Sequence, residues 1–179
     1  MHSKRTFIIG AAAALATPML ARAQEAPDRN ASSFVTQEWQ DHFSSLGNGA
    51  ILADITSRAL HYWGADGSYR LYPSSVPMTE ELTRRGYSRI VRKRVGPTWT
   101  PTQAMRERDP SLPDMMPAGA GNPLGTHAMY LDWPAYLIHG THDTRKIGRQ
   151  SSSGCIGLYN EHIAELFAVV QTGTQVRLL

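Results

Sequence analysis

His139-Gly140-Thr141-His142-Asp143-Thr144-Arg145-Lys146-Ile147-Gly148-Arg149-Gln150-Ser151-Ser152-Ser153-Gly154-Cys155-Ile156-Gly157-Leu158-Tyr159-Asn160 is the stretch from which the rest of the chain is read. It opens at the end of an apolar run, Tyr136-Leu137-Ile138, and closes before a second periodic segment. Between them lie a polar loop and a Ser-Gly-Cys turn. One short strand returning beside another is the simplest fold of such a stretch. Cys155 is the only cysteine in the chain, so it has no internal disulfide partner. Ser and Gly before it suit a tight, exposed turn, where a thiol reacts, better than a core strand. His139, sixteen residues upstream, is then the natural base for a cysteine nucleophile brought to it by the fold.

His139-Gly140-Thr141, a loop, and Ser153-Gly154-Cys155-Ile156 together resemble the L,D-transpeptidase (YkuD-like) catalytic domain, whose members cross-link bacterial peptidoglycan. Asn122-Pro123-Leu124-Gly125, Met129-Tyr130-Leu131 and Gly96-Pro97-Thr98-Trp99-Thr100-Pro101-Thr102 also look like that family and occur in its order. The resemblance runs from about Ala50 to the C-terminus. It implies a mostly-β sandwich or barrel, with Cys155 as nucleophile, His139 as base and Gly140 orienting the imidazole. On a tight turn the backbone N–H groups of Gly154 and Cys155 are the natural oxyanion donors. Substrate-binding candidates are Ser153, Thr141, Tyr130 and Trp133, with Arg145, Lys146 and Arg149, loop cations between base and nucleophile that suit stem-peptide carboxylates. The reaction implied is attack on a stem tetrapeptide, loss of its terminal D-residue, and transfer of the thioester to a second stem's amine as a 3-3 or 1-3 link. Hydrolysis of the same intermediate would make an L,D-carboxypeptidase. Carbapenem-type β-lactams are the implied inhibitors. This chain departs from the family where Gly157 stands in place of an Arg, and where Ser153 stands in place of a His.

The address is read from the N-terminus. Lys4 and Arg5 precede an Ala-rich apolar run, Phe7 to Leu20, and Ala21-Arg22-Ala23 fits a cleavage site. Residues 1–23 therefore read as a signal peptide, by the Sec or the twin-arginine route, and the product as periplasmic with no stable membrane span. The full chain has 18 Lys and Arg against 15 Asp and Glu. Loss of Lys4, Arg5 and Arg22 leaves a balanced chain, which gives no support to a nucleic-acid partner.

The remaining length suits one domain. Residues 24–46 read as a leader and an amphipathic helix over Ser33–Ser45, on the spacing of Phe34, Val35, Trp39, Phe43 and Leu46. Residues 47–179 read as the catalytic domain. Ile51–Ile55 and Ala59–Trp63 form a hairpin pattern around Thr56-Ser57-Arg58. Tyr69–Tyr72, Tyr87–Val95, Thr126–Leu131, Ala135–His139 and Thr174–Leu179 read as further strands. Thr79–Arg85 and Met105–Asp109 read as helical turns. Ile163, Leu166, Phe167 and Val170 mark one face of a C-terminal helix, with Asn160 as its expected N-cap. Gly96 to Gly125 is a long irregular stretch, of the kind that usually carries function in a compact domain.

Other chemistries fit less well. His127, His139, His142, Asp143, His162 and Cys155 are possible zinc ligands, but no H-E-x-x-H occurs. No G-x-S-x-G turn supports a serine hydrolase. No metal or cofactor is therefore expected. A non-catalytic peptidoglycan-binding domain remains as the third alternative, resting on Gly157.

Overall fold

The computed structural model describes residues 36–179. The expected signal peptide and most of the leader lie outside the described residues. The strands are β1 (Ala50–Asp54), β2 (Ala59–Trp63), β3 (Tyr69–Pro73), β4 (Val76–Pro77), β5 (Gly86–Val95), β6 (His127–Leu131), β7 (Leu137–His139), β8 (Gln150–Ser152), β9 (Ile156–Gly157) and β10 (Gln175–Leu178). Two helices, α1 (Gln103–Arg108) and α2 (Asn160–Val169), complete the set, with 3-10 turns at 39–41, 80–82 and 144–146. Among the described residues eight strands form one sheet in the order β3-β2-β1-β10-β5-β6-β7-β9, and β4 pairs with β8. The protein is mostly β with a C-terminal helix, as the sequence predicts, and its main sheet is curled.

The expected hairpin is β1–β2. Its turn is held by Asp54, whose carboxylate accepts the amides of Thr56 and Ser57 at 2.9 and 3.1 Å. All five β1 residues are buried. Ile51 and Ala53 join the main core, whereas Ala50 and Leu52 meet Phe43 and Trp63 on the other face. A strand covered on both sides needs a continuous apolar run, which is what the sequence supplies. The helix expected over Ser33–Ser45 is, in its described part, one 3-10 turn at Trp39–Asp41. The apolar spacing there serves burial of Phe43, with Trp39 and Leu46 packed beside it.

In α2, Ile163 and Leu166 are fully buried against the sheet. Asn160 does not cap the helix: the N-cap position is Tyr159, without a side-chain bond. The other end of α2 is closed from the sheet. Lys93 Nζ donates to the carbonyls of Phe167 and Val170 at 2.5 and 2.6 Å, placing a cation at the negative end of the helix.

Lys93 faces α2 because β5 contains a bulge. Ile90 pairs with Leu131, but the next pair is Arg92 with Tyr130, leaving Val91 unpaired. One extra residue inverts the alternation beyond it. Ile90 and Lys93 thus face the core side, and Arg92 and Arg94 turn to the opposite face. Two rows cross the sheet on that opposite face. Arg92, Tyr130, Leu137 and Cys155 form one; Arg94, Ala128, His139 and Gly157 form the next.

The segment from Gly96 to Gly125 lies over this face. Its organiser is Asn122, 1% exposed. The Asn122 amide nitrogen donates to the carbonyls of Pro97 and Pro117, both at 2.9 Å, and its oxygen accepts the Leu124 amide at 2.8 Å. Backbone bonds between Trp99 and Met116 close the segment on itself.

Candidate active site

The ladder between β7 and β9 brings the two predicted catalytic residues together. Ile138 pairs with Ile156 and His139 with Gly157, in parallel. Cys155 therefore lies opposite Leu137, two residues back along the strand from His139 and on the same face. Strand spacing and rise put their Cα atoms about 8 Å apart. Both side chains line one cavity of about 310 Å³.

The imidazole is oriented by its own backbone. His139 Nδ1 lies 2.5 Å from the Gly140 carbonyl oxygen, an acceptor only, so Nδ1 carries the proton. Nε2 then holds the free lone pair. Gly140 itself is packed too closely for a side chain: a Cβ there would collide with Asn160 Oδ1. Asn160 is the clamp, accepting the Thr126 amide at 3.1 Å and donating to the Thr141 carbonyl at 3.0 Å.

Cys155 packs with Leu124, Ala128, Leu137, Trp99 and Tyr130. Its thiol donates to the Ala135 carbonyl at 3.4 Å. Ala135 has φ +59°, a strained conformation for a residue with a side chain, and its carbonyl is thereby turned to the sulfur. Burial pushes the thiol up to about 11, opposed by the Leu137 amide. Burial pushes the His139 imidazole down to about 4, with the bond to Gly140 acting against that shift and the Lys146 charge adding to it. The resting pair is therefore neutral, thiol beside imidazole.

The Ser-Gly-Cys turn is tied by Ser152. Its hydroxyl donates to the Cys155 carbonyl at 2.5 Å and accepts the Gly154 amide at 3.3 Å. Gly154 has φ +129°, a region that favours glycine. Among the described residues the Cys155 amide has no backbone acceptor, so of the two expected oxyanion donors it is the uncommitted one.

Of the substrate-binding candidates, Ser153 and Thr141 line the cavity. Tyr130 lines an adjoining groove of about 530 Å³ that also reaches Cys155. Trp133 is buried, edge-on to Tyr136 and beneath Arg84. Arg145 is held by Asp143 through two bonds, at 2.8 and 2.9 Å, and projects into solvent. Arg149 is exposed. Neither arginine lines the cavity; Lys146, between them, does. Ser75, Trp99, Met105 and Leu124 also line it and were not singled out from the sequence as site residues. Ser75 has no motif around it, and Met105 lies in a helical turn whose placement only the fold decides. No three His, Cys, Asp or Glu residues come together as a metal site among the described residues, so the possible zinc ligands do not converge.

Gly157 is explained by the same geometry. Its amide and carbonyl both bond to Ser75, at 3.1 and 2.8 Å. A Cβ at 157 would collide with Ser75 Oγ, and the imidazole lies just beyond.

A family model described as the L,D-transpeptidase catalytic domain matches residues 48–178. The chain is 58% identical over 174 residues to a "Putative L,D-transpeptidase in ATP synthase subunits region ORF 5" of Fuscovulum blasticum, covering 94% of this chain and 90% of that protein. It is 43% identical over 140 residues to "Probable L,D-transpeptidase YbiS" of Escherichia coli strain K12, covering 75% of this chain and 45% of that protein. It thus spans under half of the second relative. Among solved structures, L,D-transpeptidase 3 from Mycobacterium tuberculosis in complex with a faropenem-derived adduct superposes with a TM-score of 0.57 at 15% identity, over 73% of this chain and 60% of that one.

Proposed function

The chain belongs to the L,D-transpeptidase catalytic-domain family, and from that premise we propose that it is an exported, periplasmic enzyme that cross-links peptidoglycan stem peptides through a thioester on Cys155. The observation that carries this reading is the imidazole of His139. Its Nδ1–H is committed to Gly140, which leaves the Nε2 lone pair free on a side chain that lines the same cavity as Cys155 and supports a role as base.

The reaction divides into two transfers. The thiol proton passes to His139 Nε2 as the sulfur attacks the carbonyl before the terminal D-residue. Because burial raises the thiol and lowers the imidazole, the wrong sense for a resting ion pair, proton transfer accompanies attack rather than preceding it. The thiol rotates away from the Ala135 carbonyl to do so. The Cys155 amide, with the Gly154 amide when it leaves Ser152, receives the developing oxyanion. The C–N bond breaks, the departing nitrogen takes the proton from Nε2, and the acyl chain remains on sulfur. An acceptor amine then attacks the thioester, gives its proton to Nε2, and the thiol is restored with that proton. Water in place of the amine gives carboxypeptidase products. A carbapenem-type β-lactam offers the same kind of electrophile and would acylate Cys155.

Muropeptide analysis tests the proposal. Incubating the protein with tetrapeptide-bearing sacculi is expected to produce cross-linked dimers, and Cys155→Ala to produce none. Dimers from both proteins, or from neither, would remove the basis of the reading.

A further inference from the structure

Two grooves meet at the sulfur. Trp99, Met105, Leu124 and Cys155 line both. His139 lines only the first, where Lys146 is, among the described residues, the one lining side chain with a fixed charge. The second is bordered by Arg92 and Arg94, turned there by the bulge at Val91. The Arg92 guanidinium lies 3.5 Å above the Tyr130 ring.

Proton transfer decides which part of the substrate occupies which groove. The departing nitrogen takes its proton from His139, so the leaving residue lies on the imidazole's side of the sulfur. An entering amine gives its proton to the same nitrogen, so it follows the reverse path into the same cavity once that residue has left. The acyl chain stays bonded to sulfur throughout and must extend the other way. Resting on the transpeptidase reading, we infer that Lys146 receives the terminal carboxylate of the departing D-residue, while the Arg92–Arg94 groove holds the acyl chain.

Lys146 is built to be available. Its neighbour Arg145 is spent on Asp143. The Lys146 amide donates to the Asp143 carbonyl at 3.2 Å, and its own carbonyl accepts the Ser151 hydroxyl at 3.1 Å. The backbone is fixed on both sides, and no acidic side chain pairs with the ammonium among the described residues. The opposition of its charge to imidazole protonation is a second sign that it sits on the imidazole's side. A charge-assisted bond between ammonium and carboxylate favours a substrate bearing that carboxylate by about 10- to 100-fold.

The experiment compares two tetrapeptide donors, one ending in D-alanine and one in D-alaninamide, with thioester formation followed by intact-mass spectrometry. The wild-type protein is expected to prefer the acid by about 10-fold or more. Lys146→Met is expected to lose that preference, the acid slowing to the amide's rate, while a melting midpoint and circular dichroism spectrum equal to wild type show that the fold is intact. Arg92→Gln with Arg94→Gln is expected to slow both donors and leave their ratio alone. If Lys146→Met slows both donors equally, or leaves the preference in place, the assignment of Lys146 is overturned. If the arginine pair alters the ratio, the division of the grooves is overturned. A wild-type protein that forms no thioester with either donor removes the transpeptidase reading itself, which is a different result.

Discussion

Gly157, where the resemblance leads one to expect an Arg, is closely enclosed. Its backbone is bonded on both polar atoms to Ser75, and the space above its Cα is taken by Ser75 Oγ. Gly157→Arg is expected to destabilise the protein by about 1–3 kcal/mol through overpacking. Adding Ser75→Gly, which removes the colliding hydroxyl, is expected to restore part of that loss. Urea denaturation of wild type and the two variants measures it, and a Gly157→Arg midpoint equal to wild type would mean that Ser75 yields freely. The second residue-scale consequence concerns pH. His139 must be neutral to act as base, and burial holds it near 4. Acylation is therefore expected to rise through about pH 4 and stay level through neutrality. The thiol is held near 11, so its alkylation by iodoacetamide is expected to climb about tenfold per pH unit past pH 9, as a protonated thiol requires. An acylation limb near pH 6.5 would instead indicate an imidazole unaffected by burial, and alkylation that levels off below pH 7 an ion pair at rest.

At the scale of elements, the site depends on one bulge and one loop. The bulge at Val91 gives β5 two purposes: Lys93 closes the end of α2, and Arg92 and Arg94 face the grooves. Alternation in the sequence marks β5 as a half-exposed strand. It cannot locate a bulge, because one unpaired residue changes register without changing composition. The loop from 96 to 125 depends on Asn122, whose side chain satisfies buried carbonyls and the Leu124 amide at once. Asn122→Ala leaves those groups unpaired, at about 1–3 kcal/mol each for any that stay dry. The expected result is earlier proteolytic cleavage within 96–125 and a donor KM raised more than the rate constant is lowered, since Trp99, Met105 and Leu124 shape both grooves. Unchanged proteolysis would show that the loop holds without Asn122. The N-terminal segment teaches the complementary lesson. Trp39, Phe43 and Leu46 have helical spacing because they cover one face of the sheet, and an irregular chain can do that as well as a helix.

For the whole molecule, the features that are legible in sequence are those carried by neighbours in the chain: the β1–β2 hairpin, β5 to β7, α2 and β10. The proposed nucleophile and base stand out in the sequence because each has its own local setting, a Ser-Gly turn and a strand end. What is not legible comes from sheet order. β10 enters between β1 and β5, and Ser75 reaches Gly157 across 82 positions of chain. Arg92 and Arg94 reach the sulfur's groove only because β5, β6, β7 and β9 lie side by side. Asn160 reads as a cap and is instead a clamp on the loop behind His139. The central claim, a thioester on Cys155 made with His139 as base, is tested most directly by intact-mass spectrometry after mixing the protein with a tetrapeptide donor. The predicted result is a mass gain equal to the donor less its terminal D-residue and one water equivalent, absent in Cys155→Ala and slowed at least 100-fold in His139→Gln, about the share a general base contributes. An adduct that survives Cys155→Ala, or one that forms at the wild-type rate in His139→Gln, would contradict it.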